Sequence, residues 1–154
     1  MDTTAPRSHT WRFFRTCGLD QALLKSGDDL ADLASLDQKL WTALSCPTRG
    51  VRFDAKTLAL LDTDNDGRIR VPELLGAIAW LSARLTSLDP LFAGSDTVKL
   101  ASIATSTPEG KAMLANAKRI LSNLGKGAAD AISLADVADT AKIFAETRFN
   151  GDGI

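Results

Sequence analysis

The residues whose types and spacing carry the clearest chemistry lie in the run DTDNDGRIRVPE, from Asp62 to Glu73. Asp62, Asp64 and Asp66 alternate along it, and Glu73 follows seven residues after the last of them. Alternating carboxylates on a tight turn can converge on one point, and a longer acid further along can close the shell with two oxygens. That is the chemistry of a hard divalent cation, and calcium in particular takes six to eight oxygen ligands. Gly67 follows Asp66 where the chain must bend sharply, a conformation that a residue with a Cβ resists. The backbone carbonyl of Arg68 is expected to supply one more oxygen, its side chain pointing away.

The twelve-residue form D-x-D-x-D-G-x-I-x-x-x-E resembles the calcium loop of the EF-hand family, and the resemblance extends to the helices flanking it. It implies metal ligation by Asp62, Asp64, Asp66, the Arg68 carbonyl and Glu73. It also implies that Ile69, at the eighth position, pairs with a second loop. Asp, Asn and Gly dominate ordinary acidic turns as well, but a turn does not require Ile69 and Glu73 at their offsets. Two positions are unusual. Arg70 stands at the ninth, where a small polar or acidic residue often holds a bridging water, and this weakens the site. Pro72 falls in the first turn of the exiting helix, where its missing N–H is not needed. Four carboxylates, partly offset by Arg68 and Arg70, place the expected affinity in the sensor range, of order 10⁻⁷ to 10⁻⁵ M or weaker.

The elements that must hold this loop are helices. Asp54 can cap an entering helix that runs to about Leu61, with Leu58 and Leu61 facing inward. The exiting helix runs from about Val71 to Leu85 with a stripe of Leu74, Leu75, Ile78, Leu81 and Leu85, and Trp80 beside it is expected in the core. Upstream, Leu33, Leu36, Leu40 and Leu44 recur at helical spacing across about 28–45, with a second start offered by Ser35 and Gln38. Downstream, Thr107-Pro108-Glu109 marks a helix start and Gly125 its stop. Its apolar face is Met113, Leu114, Ala117, Ile120, Leu121 and Leu124. Ser133, with Asp136 three residues on, caps a last helix lined by Leu134, Val137, Ala141 and Phe144.

Residues 12–25 read as a short hairpin or an irregular extended segment, and Val98–Ile103 as a short strand or helical turn. The fold expected is mainly α, with six or seven helices and a small strand element at 12–25 or around the calcium loop. Residues 1–10 form a polar disordered tail, and 11–154 one helical domain.

The chain ends RFNGDGI. Asn150 and Asp152 can stand at the third and fifth positions of a degenerate second hand, although Arg148 at the first position is wrong for a cation and the twelfth lies beyond Ile154. A frayed terminal turn explains the same residues. A chain that stops inside a motif suggests the N-terminal fragment of a longer protein. The segments LDQKLWTALSCPTRG, FDAKTLALLDTDNDGRIRVPELL, TPEGKAMLANAKRILSNLGK and IFAETRFNGDGI together resemble the N-terminal region of a group of large, uncharacterised bacterial EF-hand proteins. That likeness implies architecture and little chemistry.

Composition narrows the alternatives. A chain of 154 residues with 45% apolar and 24% charged residues suits a soluble globular domain. A net charge of −1 gives no pull toward nucleic acid or an anionic membrane. The apolar runs are too short to span a bilayer, and the polar start lacks a signal peptide, which points to the cytoplasm. Cys17 and Cys46 read as reduced, partly buried thiols. His9, the single histidine, reads as a solvated tail residue, and neither a nucleophile elbow nor a P-loop nor a dinucleotide fingerprint is present. The expected function is a non-catalytic calcium-binding module, structural or modulatory, whose partner is a second protein or the C-terminal remainder of its own chain. The competing reading is a helical interaction or scaffold domain in which calcium is incidental. A dockerin-like module fits less well, because Glu73 rather than Asp closes the loop, and an enzyme fits least.

Overall fold

The computed structural model describes residues 9–138. The chain divides into two compact units, Met1–Trp80 and Leu81–Ile154. In place of the mainly helical domain expected, the architecture is mixed α/β. Five α-helices alternate, among the described residues, with three two-stranded antiparallel sheets.

The first unit opens with a hairpin of β1 (Phe13–Thr16) and β2 (Leu19–Ala22), with Thr16 opposite Leu19. Its two-residue turn, Cys17-Gly18, has positive φ at both positions (49° and 79°), the arrangement whose twist matches two paired strands. Helix α1 (Gly27–Ala31) starts in a capping box: the Ser26 hydroxyl accepts from the Asp29 N–H, and the Asp29 carboxylate accepts from the Ser26 N–H.

The long helix expected over 28–45 does not form. Leu33 and Leu36 are buried, but they lie on and beside a single 3₁₀ turn, Leu33–Ser35. A second 3₁₀ turn, Gln38–Leu40, is started by Asp37, whose side chain accepts from the Lys39 N–H. Short polar side chains here offer the backbone a local partner that competes with the helical ladder. Ser35, which the sequence offered as a helix start, instead accepts a hydrogen bond from the Trp11 indole at 3.3 Å. Leu40 and Leu44 stay exposed, and the chain continues as strand β3 (Ser45–Pro47). Then come α2 (Ala55–Leu61), β4 (Arg68–Arg70) and α3 (Val71–Ser82). Leu58, Ile69, Val71 and Ile78 are buried. Trp80, expected in the core, is 51% exposed.

In the second unit β5 (Thr97–Lys99) precedes helix α4 (Pro108–Asn123), which leads to β6 (Ala131–Ser133) and α5 (Leu134–Ala138). The capped start of α4 is as the sequence predicts: Thr107 accepts from the Gly110 N–H, and its own hydroxyl donates to the Ala83 carbonyl. Gly125 follows the helix at φ 70°. The core is built on Leu88, Ile103, Ala104, Ala117 and Leu121, with Ile103 and Leu121 fully covered. Side chains of that size contribute about 1.5–3 kcal/mol each when fully buried. Gly110 is required by space rather than conformation, since a Cβ there would collide with the Ala104 carbonyl. No helix among the described residues is long and apolar enough to cross a membrane.

Candidate metal site

The site grows from the end of α2. Asp54 caps this helix, accepting from both the N–H and the hydroxyl of Thr57 at 2.8 Å. Asp62 ends it, its N–H still bonded to the Leu58 carbonyl. From there the loop is folded by its own carboxylates. Asp62 accepts from the N–H groups of Asp66 (3.1 Å) and Gly67 (3.0 Å). Asp64 also accepts from Asp66 N–H, and Asp66 accepts from Arg68 N–H at 2.9 Å. Two left-handed residues, Asn65 (φ 57°) and Gly67 (φ 83°), make the bend. The nearest atom to a Cβ at Gly67 would lie 3.9 Å away, so glycine serves its φ there and not a lack of room.

This folding brings the ligand atoms of Asp62, Asp64 and Asp66 within 4.8 Å of one another, a group that could hold a metal ion. Asp62 is buried at the floor of the loop, while Asp64 and Asp66 face solvent. An open cavity beside them, about 490 Å³, is lined by Thr48, Arg49, Asp62, Asn65, Asp66 and Gly67.

Two side chains hold the loop in a particular state. The Arg70 guanidinium lies against Asp66 and within 3.6 Å of Asp64. Asp66 above all, then Asp64 and Glu73, raise the Arg70 pKa. Glu73 stands in the first turn of α3 and reaches back over the loop. One oxygen accepts from the N–H (2.8 Å) and hydroxyl of Thr63, the other from the Arg70 N–H at 2.8 Å. The Arg70 N–H is the largest cause of its depressed pKa. Both Glu73 oxygens are thus engaged on backbone donors, outside the cluster of three aspartates. Arg68 begins β4, and its guanidinium donates to the Ser45 hydroxyl at 3.3 Å.

The neighbour of Ile69 differs from the sequence expectation. Ile69 is buried, but it sits opposite Cys46 on β3 and not opposite another loop of its own kind. The Thr48 N–H donates to the Gly67 carbonyl, extending this pairing to the bend. A segment only about twenty residues upstream therefore braces the loop, and the run Ser45-Cys46-Pro47 carries no pattern that announces it.

The remaining candidates are placed as follows. Asn150 and Asp152 lie outside the described residues. Cys17 and Cys46 are free thiols and both exposed, not partly buried. His9, expected to be solvated, is largely covered. Its ring meets Trp11 edge-on at 4.5 Å and faces Asp29 at 3.1 Å and Asp32 at 3.5 Å. Asp29 is itself buried, and its pKa is held at about 2, first by the Lys25 N–H and then by Ser26 and Arg12, against the opposing effect of burial. Sequence reading missed this cluster, because its partners come from the tail, the hairpin and α1.

Comparison with known proteins gives no match to a family model, to a curated protein or to a solved structure.

Proposed function

We propose that the loop Asp62–Glu73 is an EF-hand-type calcium site and that the protein is a calcium-binding module, structural or modulatory and not catalytic. The observation that carries this reading is the convergence of Asp62, Asp64 and Asp66 on a bend made by Gly67, with Glu73 poised at the start of the following helix. Oxygen-only donors at this spacing suit a hard cation, and the open, solvent-facing rim suits the larger, flexibly coordinated calcium over magnesium.

Binding on this reading is an exchange. Arg70 neutralises part of the acidic cluster in the ion-free state, and it must swing off Asp64 and Asp66 when the metal arrives. Glu73 must release Thr63 to turn an oxygen toward the ion. Movement of Glu73 acts on the first turn of α3, the route by which ion binding would reach the helix. The test is calcium titration followed by nuclear magnetic resonance. Shifts should concentrate at Asp62–Glu73 and the first turn of α3. Shifts scattered over the chain, or none, would remove the reading.

A protein partner is the second element proposed. Leu60 on α2 is 81% exposed and Trp80 on α3 is 51% exposed, one on each helix flanking the loop. Large apolar side chains this exposed on the two helices that a metal would move are what a calcium-modulated contact needs. Apolar-dye fluorescence that is identical with calcium and with chelator would leave the scaffold reading, with calcium incidental, in its place.

A further inference from the structure

The second unit repeats the local architecture of the candidate site without its acids. In the first unit β3 pairs with β4, Cys46 opposite Ile69, and Thr48 N–H donates to the Gly67 carbonyl. In the second, β5 pairs with β6, Val98 opposite Ile132, and Leu100 N–H donates to the Asp130 carbonyl. Each inner strand runs straight into a helix, β4 into α3 and β6 into α5. Each helix carries an acid in its first turn that accepts from the last strand residue: Glu73 from Arg70 N–H at 2.8 Å, Asp136 from Ser133 N–H at 2.9 Å. Ile69 to Glu73 and Ile132 to Asp136 span the same interval.

Matching Ile132 to Ile69 puts Gly125, Gly127 and Ala129 where the first loop has Asp62, Asp64 and Asp66. No side chain there can ligate a metal. The free oxygen of Asp136 is instead met by the Lys126 ammonium at 2.6 Å, on a carboxylate side chain that is only 8% exposed.

We infer that Lys126 is a built-in cation for this second loop, tying the loop to the start of α5 as a bound ion would, so that the second unit is closed permanently and independently of metal. The two loops then differ in the cation they use. In the first, a cationic side chain can be exchanged for an ion. In the second, Gly125, Gly127 and Ala129 offer no carboxylate and the Lys126 ammonium meets the closing acid instead. The inference borrows from the calcium reading only the comparison of shape, and the Lys126–Asp136 bond stands whether or not the first loop takes metal.

The test compares the full chain with Lys126→Met and Lys126→Arg by site-resolved amide hydrogen exchange, in chelator and in calcium. Losing a charge-assisted bond to a covered carboxylate should speed exchange at Ser133 and Asp136 by about tenfold. The increase should be the same in both media, Lys126→Arg should restore most of the protection, and exchange across Asp62–Arg70 should not move. Unchanged exchange at Ser133 and Asp136 in Lys126→Met would overturn the inference. Should Lys126→Met fail to fold, the unmodified chain decides. Equal protection at residues 131–136 with and without calcium supports a metal-independent closure, and protection gained on adding calcium overturns it. Failure of the calcium reading appears separately, as an absence of calcium response at Asp62–Glu73 in every variant.

Discussion

Replacing Arg70 by serine should tighten calcium binding. The guanidinium makes two contacts within the ion-free loop, to Asp66 and to Asp64, and its side chain is 45% exposed. Exposed ion pairs of this kind each correspond to a factor of roughly two to five in an equilibrium constant. A unit charge a few ångströms from a divalent ion, screened almost as in bulk water, opposes binding by a further factor of similar size. Together they place Arg70→Ser at least about tenfold tighter, with a larger gain at low salt. The substitution leaves the backbone intact, so the β3–β4 pairing and the Arg70 N–H bond to Glu73 persist. In chelator the variant should be less stable, because Asp62, Asp64, Asp66 and Glu73 lose the cation that separates their charges. In calcium it should be at least as stable as the unmodified chain. Calorimetric titration at two salt concentrations reads the affinity, and thermal unfolding in both media reads the stability. Arg70→Lys, which keeps the charge without the fork, should fall between. An Arg70→Ser affinity equal to or weaker than that of the unmodified chain would refute the idea that Arg70 competes with the ion.

The other predictions concern the floor of the loop, the helix contact in the second unit and the response to acid. Asp64→Ala should abolish tight calcium binding with little change in stability, since Asp64 is exposed and makes a single backbone bond. Asp62→Ala should also destabilise the chain in chelator, by about 1–3 kcal/mol, because the Gly67 N–H loses its buried carboxylate partner while the Asp66 N–H keeps Asp64; equal melting of the two variants would contradict this. Gly110→Ala should cost about 2 kcal/mol or more in urea unfolding, since the Ala104 carbonyl must move to admit a Cβ. Acid should unfold the protein in a defined window. Asp29 and Asp136 have folded pKa values of about 2, below the ordinary 3.8, so the folded state binds fewer protons than the unfolded one between those values. Their stabilisation is therefore complete above about pH 5 and is lost as pH falls toward 2. Asp29→Asn and Asp136→Asn should each flatten the fall in stability across that window.

The loop and its two flanking helices were legible in the sequence because each signal there is local. Asp54 caps its own helix, Gly67 supplies its own φ, and the alternating acids fold onto neighbouring N–H groups. Thr107-Pro108 and Ser133-x-x-Asp136 were legible for the same reason. The sheets were legible only in part: a hairpin within 12–25, a strand beside the loop and one near Val98 were among the readings offered, but the partner strands β3 and β6 were not. Each strand of β3 to β6 is three residues long, too short for an alternating pattern, and its partner is chosen by the fold. The upstream leucine periodicity misled because Leu40 and Leu44 recur at helical spacing without being buried, while Asp37 redirects the backbone. Trp80 shows the same limit, its size predicting a burial that the adjacent packing does not supply. The second loop was not legible because Gly125, Gly127 and Ala129 carry no acid to mark it. The recurring interval from Ile132 to Asp136 was the signal that could have found it.

The most direct test of the central claim is calorimetric titration of calcium into the metal-stripped chain with about a millimolar magnesium present. The account predicts a single site of micromolar strength or somewhat weaker, one ion per chain, lost in Asp64→Ala and tightened in Arg70→Ser. No heat at two temperatures in the unmodified chain and in Arg70→Ser alike would contradict it, and would leave the three aspartates as a turn that folds itself.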